Sequence, residues 1–267
     1  MTSLNVAVQM DPLETIGIAG DSTFALMLSA QARGHKLFHY LASDLTYGGG
    51  RVRALARKVT VRAVEGDHFT AEAPCPLDLG RDTDVVLMRQ DPPFDIGYIT
   101  ATYLLERIAG ETLVVNDPRS VRDAPEKLFV LDFAQFMPPT LITRSLDELR
   151  AFHAQHGEIV VKPLHGNGGA AVFRIGKDGA NLGALAELFG EVWREPYIAQ
   201  AFLPAVAEGE SGSCSSMAKS RARSTACQAR ARSAPTSPPG APPMRPSSVI
   251  ASARFAMRSD PNSRSAA

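Results

Sequence analysis

A lone lysine inside an apolar strand, followed at once by a glycine-rich run, constrains this chain more than any other stretch: GEIVVKPLHGNGGAAVF, residues 157–173. Ile159, Val160 and Val161, with Leu164 beyond, surround Lys162, so a strand delivers one cation to a fixed point. Gly166, Gly168 and Gly169 come next, and a run of residues without Cβ atoms lets backbone N–H groups approach a phosphate closely. The lysine precedes the glycines and no Gly-Lys-Ser/Thr follows them, so this is neither a Walker loop nor a dinucleotide fingerprint. Two readings stand on the residues alone: a phosphate-handling loop, or a strand that ends in a glycine-rich hairpin.

At 267 residues the chain exceeds one typical domain and can bury a large core. Its formal net charge is zero, so no overall basic excess points to nucleic acid. No apolar stretch is long enough to cross a membrane. The opening MTSLNVAVQMDP has no basic region ahead of an apolar core, so no secretory signal is expected. Three cysteines, Cys75, Cys214 and Cys227, form no C-x-x-C pair, and a reducing, cytoplasmic setting is expected. Cys75, between two prolines, reads as an incidental loop thiol, and His153 and His156 as solvated side chains on a polar helix face.

From the start, residues 4–10 (LNVAVQM) read as a strand ending at Asp11-Pro12, Asp21-Ser22-Thr23 as an N-cap, and FALMLSAQARG as a helix closed by Gly34. Residues 36–41 (KLFHYL) form a second strand. Strand, helix, strand with short links is a βαβ unit, which implies a parallel sheet. Gly48-Gly49-Gly50 reads as a turn. Residues 84–88 (DVVLM) are a third buried strand running into Arg89-Gln90-Asp91-Pro92-Pro93-Phe94-Asp95. A charged cluster held by two prolines at the end of a parallel strand lies where open α/β sheets bind ligands. Arg89 there either holds a substrate carboxylate bidentately or pairs with an aspartate to brace the loop.

Residues 98–108 read as a helix and 112–115 as a strand, followed by a turn at Asn116-Asp117-Pro118. Lys127 is a second lone cation, near the start of a helix expected to continue as LFVLDFAQF. One lysine on a helix and one on a strand can clamp two ends of a triphosphate. Residues 140–143 form a strand, 146–156 a helix and 172–175 a strand returning antiparallel after the glycine loop. Residues 185–189 lie in a helix, and 197–202 (YIAQAF) form a strand ending at Leu203-Pro204.

In chain order, MDP, the D-S-x-F-A helix, LMRxDPPFD, ATYLLER, VVNDPRSVRDAPEKLF, xVKPLxGxGGAxVFRI and YIAQAFLP resemble the bacterial glutathione synthetases of the ATP-grasp superfamily, without a gap from residue 1 to about 210. The resemblance implies an α/β fold: an N-terminal Rossmann-like parallel-sheet domain over 1–122 on the substrate side, then the first part of an ATP-grasp domain over 123–210. It implies a cytoplasmic ligase that joins γ-glutamylcysteine to glycine through an acyl phosphate, with ATP and Mg or Mn as cofactors and a homo-oligomer as the assembly. Carried onto this chain, Lys127 and Lys162 contact ATP phosphates and the loop with Gly166, Gly168 and Gly169 closes over them. Gln200, Ala201, Phe202 and Leu203 form the strand on which adenine lies. Asp11, Ser22, Arg89 and Asp91 face the dipeptide. No residue is expected to act as a covalent catalyst, because such a transfer needs positioning and charge neutralisation. Alternatives are another ATP-grasp carboxylate–amine ligase, such as a D-alanine or glutamate ligase, which LMRxDPPFD argues against, and a non-catalytic nucleotide- or dipeptide-binding remnant.

The resemblance stops at residues 207–209. From Ser211 on, the chain is rich in Ser, Ala, Arg and Pro, with Asp260 its single acidic residue, and by composition it reads as a disordered basic tail. With GC-rich codons chosen among synonyms, residues 211–224 read one base earlier give ERIVLVDGEVAGAI, residues 225–241 give NRVPGEGEIRSNLAAGG, and the remainder gives an acidic and basic helix. Those strings resemble the family's continuation. The expectation is that one base was lost near codon 210, leaving 211–267 out of frame. The magnesium-binding E-x-N ligands and the second wall of the cleft then lie beyond the chain, which is expected to be inactive or impaired and to expose apolar surface.

Overall fold

The computed structural model of the chain describes residues 2–165, 171–192, 195–208, 210–216 and 219–226. They fall in two compact units, within Met1–Leu203 and within Pro204–Ala267.

In the first unit, β1 (Asn5–Gln9), α1 (Ser22–Ala32) and β2 (Lys36–Tyr40) form the βαβ unit expected from the sequence. β1 pairs with β2 in parallel, Ala7 opposite Phe38. Asp21 caps α1 by accepting from the Phe24 N–H. β3 (Leu45–Gly48) and β4 (Arg51–Val61) are an antiparallel hairpin turning at Gly49-Gly50. β5 (Phe69–Ala71) and β6 (Cys75–Asp78) add antiparallel strands to β4. β7 (Val85–Met88) then returns beside β1 in parallel, α2 (Ile96–Glu106) follows it, and β8 (Leu113–Val115) lies parallel to β7.

The strand order is β3-β4-β2-β1-β7-β8, with β5 and β6 on β4. The centre is parallel, as the βαβ reading requires. The antiparallel end makes the whole sheet mixed, and Cys75 sits exposed on a strand rather than in a loop. Alternate residues of β1 face opposite layers. Val6 and Val8 pack with Phe24 and Met27 of α1, while Ala7 packs with Leu105 and Ile108 beyond the other face. Helices therefore cover both faces, and burial of these apolar side chains is the main favourable term holding the layers.

α3 (Pro118–Asp123) starts with Pro118 at its first position and Asp117 capping the Ser120 N–H. α4 (Glu126–Phe129) carries Lys127. The helix expected to run on through residue 136 is interrupted. Residues Val130–Phe136 form 3-10 turns with non-helical backbone at Phe133 (φ −118°, ψ 34°).

A four-stranded antiparallel sheet follows, in the order β11-β10-β12-β9. It comprises β9 (Thr140–Thr143), β10 (Ile159–Pro163), β11 (Phe173–Ile175) and β12 (Tyr197–Ala201). α5 (Leu146–His156) and α6 (Leu182–Val192) supply Leu149, Leu182, Leu185 and Phe189 to a core with Ile159, Val161, Tyr197 and Ala199. His153 and His156 are not simply solvated. His153 Nε2 lies 2.8 Å from the Gly176 carbonyl, and the His156 ring packs on Phe152 with centroids 4.5 Å apart.

In the second unit, β13 (Glu210–Ser216) pairs antiparallel with β14 (Lys219–Ala226). Residues 211–216 and 219–226 of the segment expected to be a disordered tail are thus strands, and residues 227–267 lie outside the described residues. Among the described residues no helix is long and apolar enough to cross a membrane.

Candidate active site

The strand order reverses between β1 and β7: α1 leads from β1 to β2 on one side, and α2 leads from β7 to β8 on the other. Open α/β sheets bind ligands outside the carboxyl ends of strands at such a point. Those ends carry Asp11 and Arg89, and the first turn of α1 brings Ser22 to the same place. Arg89 Nε donates to Thr23 Oγ1 at 3.1 Å and Nη2 to Ser22 Oγ at 2.9 Å. The Arg–Asp brace is not formed, since no ion pair involves Arg89 among the described residues; two hydroxyls orient the guanidinium instead. The Asp91 N–H donates to Asp11 Oδ2 at 2.7 Å, which ties the turn after β7 to the turn after β1. Burial, helped by the Asp11 and Asp21 charges, pushes the Asp91 carboxyl above the usual aspartate range, and Arg89 opposes the shift. The four residues assigned to the dipeptide side are therefore gathered at one place.

Beyond the two prolines, Phe94 packs on Tyr98 with centroids 5.1 Å apart and on His165 at 6.1 Å. A cleft of about 230 Å³ opens here, lined by Pro92, Phe94, Tyr98, Asn116, Lys127 and His165 among others. Tyr98 joins the two groups: it lines the cleft, and its hydroxyl responds to Arg89 and Asp91. Burial raises its pKa most, the Asp91 charge adds to the rise, and Arg89 opposes it.

Lys127 enters the cleft from α4. Burial lowers its pKa first, and the charge of Lys162 lowers it further, against the pull of Glu126. The two lysines singled out in the sequence are thus near enough to repel one another. Alternation along β10 puts Ile159 and Val161 against the helices and Val160 and Lys162 on the opposite face. Lys162 pairs in register with Ile198, and Val160 with Gln200, so Lys162 and Gln200 share that face. Gln200 Nε2 donates to Thr140 Oγ1 at 3.0 Å. Ala201 ends β12. Phe202 lies under the Arg174 guanidinium, 3.9 Å from its carbon, and Leu203 is exposed. Gly166, Gly168 and Gly169 lie outside the described residues.

Sequence reasoning passed over Phe94, Tyr98, Asn116 and His165 as cleft residues. Phe94 and Tyr98 were within sight, being in and just after the DPPFD block, whereas His165 reaches Phe94 only through the tertiary fold. A lysine that lines the cleft among aromatic rings, with the charge of a second lysine reaching it, is an arrangement that can meet a nucleotide phosphate chain. Among the described residues no group of three or more His, Cys, Asp or Glu side chains is placed to hold a metal ion.

Comparison with known proteins agrees with this geometry. Residues 4–122 match the prokaryotic glutathione synthetase N-terminal domain, and residues 126–212 match the prokaryotic glutathione synthetase ATP-grasp domain. A glutathione synthetase from Rhodopseudomonas palustris is 56% identical over 208 residues, covering 78% of this chain and 66% of that protein. One from Agrobacterium fabrum is 52% identical over 206 residues, covering 77% and 64%. The chain thus spans a little under two thirds of the length of these relatives. Among solved structures, a RimK domain ATP-grasp protein from Sphaerobacter thermophilus superposes with a TM-score of 0.52 at 18% identity, over 78% of this chain and 67% of that one, a likeness of fold. Over residues 4–212 the chain belongs to the prokaryotic glutathione synthetase family.

Proposed function

We propose that residues 1–210 are the dipeptide-binding domain and the first half of the nucleotide cleft of a glutathione synthase, an ATP-dependent ligase joining γ-glutamylcysteine to glycine. The division falls at 1–122 for the substrate-side domain and 123–210 for the ATP-grasp portion, with 211–267 an out-of-frame segment. The observation that carries the reading is Lys127 lining the cleft beside the Pro92–Phe94 turn that follows Arg89, with the Lys162 charge close enough to act on it.

In this reading the two lysines hold ATP phosphates, and Gln200 to Leu203 supply the strand beside the adenine. Gly166, Gly168 and Gly169 are assigned to the ATP phosphates, which backbone N–H groups without neighbouring Cβ atoms can approach closely. Arg89, oriented by Ser22 and Thr23, receives a substrate carboxylate, and Asp11 and Asp91 face the rest of the dipeptide. ATP supplies the phosphoryl group that activates the dipeptide's carboxylate as an acyl phosphate; glycine's amine then displaces phosphate. The chain's own residues position the reactants and neutralise charge. Magnesium or manganese is expected with the nucleotide, and its ligands are expected in the third of the relatives' length that this chain does not match. The chain is accordingly expected to bind ligands while turning over slowly or not at all. The intact protein is expected to be cytoplasmic and homo-oligomeric, with no nucleic-acid or membrane partner.

Calorimetry with ATP and then with γ-glutamylcysteine tests the binding reading, which fails if neither is bound. A coupled assay of ADP release with γ-glutamylcysteine and glycine tests the loss of turnover, and turnover at an ordinary enzymatic rate overturns it. Sequencing the DNA from codon 210 onward tests the frame. A continuation one base earlier into a strand and an E-x-N motif is expected, and a confirmed frame with no family sequence after it overturns the lost-base reading.

A further inference from the structure

The turn that carries Asp11 is held from below by three side chains that none of the foregoing assigns. His39, at the end of β2 and 1% exposed, places Nε2 3.1 Å from the Asp11 carbonyl. Arg57 Nη2 lies 3.4 Å from His39 Nδ1. A guanidinium only donates, so Nδ1 accepts and the ring proton sits on Nε2, directed at the Asp11 carbonyl. Burial first, and then the Arg57 charge, lower the His39 pKa against the opposing pull of the Asp11 carbonyl and the Glu14 and Asp44 charges, in keeping with a neutral ring. Arg57 also pairs with Glu14 at 2.8 Å, and His68 Nε2 donates to the Leu13 carbonyl at 2.6 Å. Three of the four positions 11–14 after β1 are thus clamped, Asp11 and Leu13 through backbone carbonyls and Glu14 through an ion pair.

The clamp leads to the site. Asp11 Oδ2 receives the Asp91 N–H, and Asp91 opens the Pro92–Phe94 turn that lines the cleft. We propose that His39 is a positioning residue for the dipeptide side of the site: through the Asp11 carbonyl it fixes the Asp11 carboxylate, and through that the Asp91 turn. The proposal rests on the functional reading above for the identity of the ligand, but not for the linkage itself.

The test uses the full chain, uniformly 15N-labelled, as His39→Leu and His39→Gln. Leucine keeps bulk without a donor; glutamine returns an N–H near the Nε2 position. In His39→Leu the Asp91 amide is expected to exchange about tenfold faster than in the unsubstituted chain, and γ-glutamylcysteine to bind about tenfold more weakly, ~1.4 kcal/mol, with ATP affinity unchanged. His39→Gln is expected to restore both. If His39→Leu does not fold, Arg57→Met, which leaves His39 without its orienting partner, is expected to show the same split at smaller amplitude. Unchanged Asp91 exchange in the variants overturns the proposal, as does an equal loss of ATP and dipeptide affinity. An unsubstituted chain that binds no γ-glutamylcysteine overturns the functional reading, and Asp91 exchange then still decides the linkage.

Discussion

Lys162, on β10, lies near enough to Lys127, on α4, for its positive charge to lower the Lys127 pKa. Lys127 lines the cleft, and an anion bound there would offset the repulsion between the two charges. Charge-assisted hydrogen bonds contribute about 1.5–3 kcal/mol each. Lys127→Met or Lys162→Met is therefore expected to weaken ATP binding roughly 10- to 100-fold, measured by calorimetry, with γ-glutamylcysteine binding little changed.

Burial of Lys127, with the Lys162 charge behind it, sets a pH dependence. The folded pKa of Lys127 lies below its unfolded value, so the protonated group detracts from stability at neutral pH. That deficit is relieved as pH rises through the folded value toward the ordinary lysine range. Urea midpoints of the unsubstituted chain and Lys127→Met are expected to differ most near pH 7, the variant being higher, and to converge in alkali. A gap independent of pH would assign the difference to packing instead.

Arg51 and Asp78 give the opposite sign. Arg51 on β4 binds Asp78 on β6 through two bonds of 2.8 Å, and also reaches Glu111 at 3.0 Å. Hydrogen bonding to Arg51 first, with the Arg81 and Gly80 N–H groups, holds the Asp78 carboxyl below the usual range against the effect of burial. The stabilisation is present above the unfolded pKa and is lost as pH falls through the depressed folded one. Asp78→Asn is expected to lower the melting temperature near pH 7, and the difference is expected to close in acid.

The central architecture was legible because its signals are local. The βαβ unit shows as an apolar run, a capping aspartate and a second apolar run, and Lys162 stands out because a cation inside an apolar strand has few structural uses. Strand β4 was less plain in RVRALARKVTV: buried and exposed residues alternate, but Leu55 faces outward and the adjacent Arg57-Lys58 break the period. The break at Phe133 was not legible, since LFVLDFAQF has helical composition and nothing in it marks the change to 3-10 turns.

The site divides the same way. Arg89, Asp11, Asp91 and Ser22 were readable as polar residues at strand ends and a helix start, where α/β sheets bind ligands. The partners of Arg89 were not, because Ser22 and Thr23 reach it across more than sixty residues of sequence, through the pairing of β1 with β7. His39 and His68 gave no signal for the same reason: each meets a backbone carbonyl on a different segment.

Phe189 tests whether the small sheet has a core of its own. It is 2% exposed and makes edge contacts with Phe173 and Tyr197, at centroid separations of 5.9 and 5.4 Å. Truncating a buried phenylalanine costs about 3–5 kcal/mol. Phe189→Ala is expected to expose β9–β12 amides to hydrogen exchange while those of β1 and β7 stay protected; equal loss in both sheets would show a single cooperative unit.

Gly179 and Gly34 separate backbone strain from collision. Both have positive φ, +62° and +81°. A Cβ on Gly34 meets nothing within 4 Å, whereas one on Gly179 comes to 3.0 Å from His153 Cε1, in a ring held by the Gly176 carbonyl. Forcing alanine into the left-handed region costs about 1–2 kcal/mol. Gly34→Ala is expected to cost that much, and Gly179→Ala roughly twice as much, because His153 must also shift and lose its hydrogen bond. Adding His153→Ala to Gly179→Ala gives a double-mutant cycle in which the excess over Gly34→Ala disappears as coupling. Equal costs at the two glycines would leave His153 without a part in the penalty.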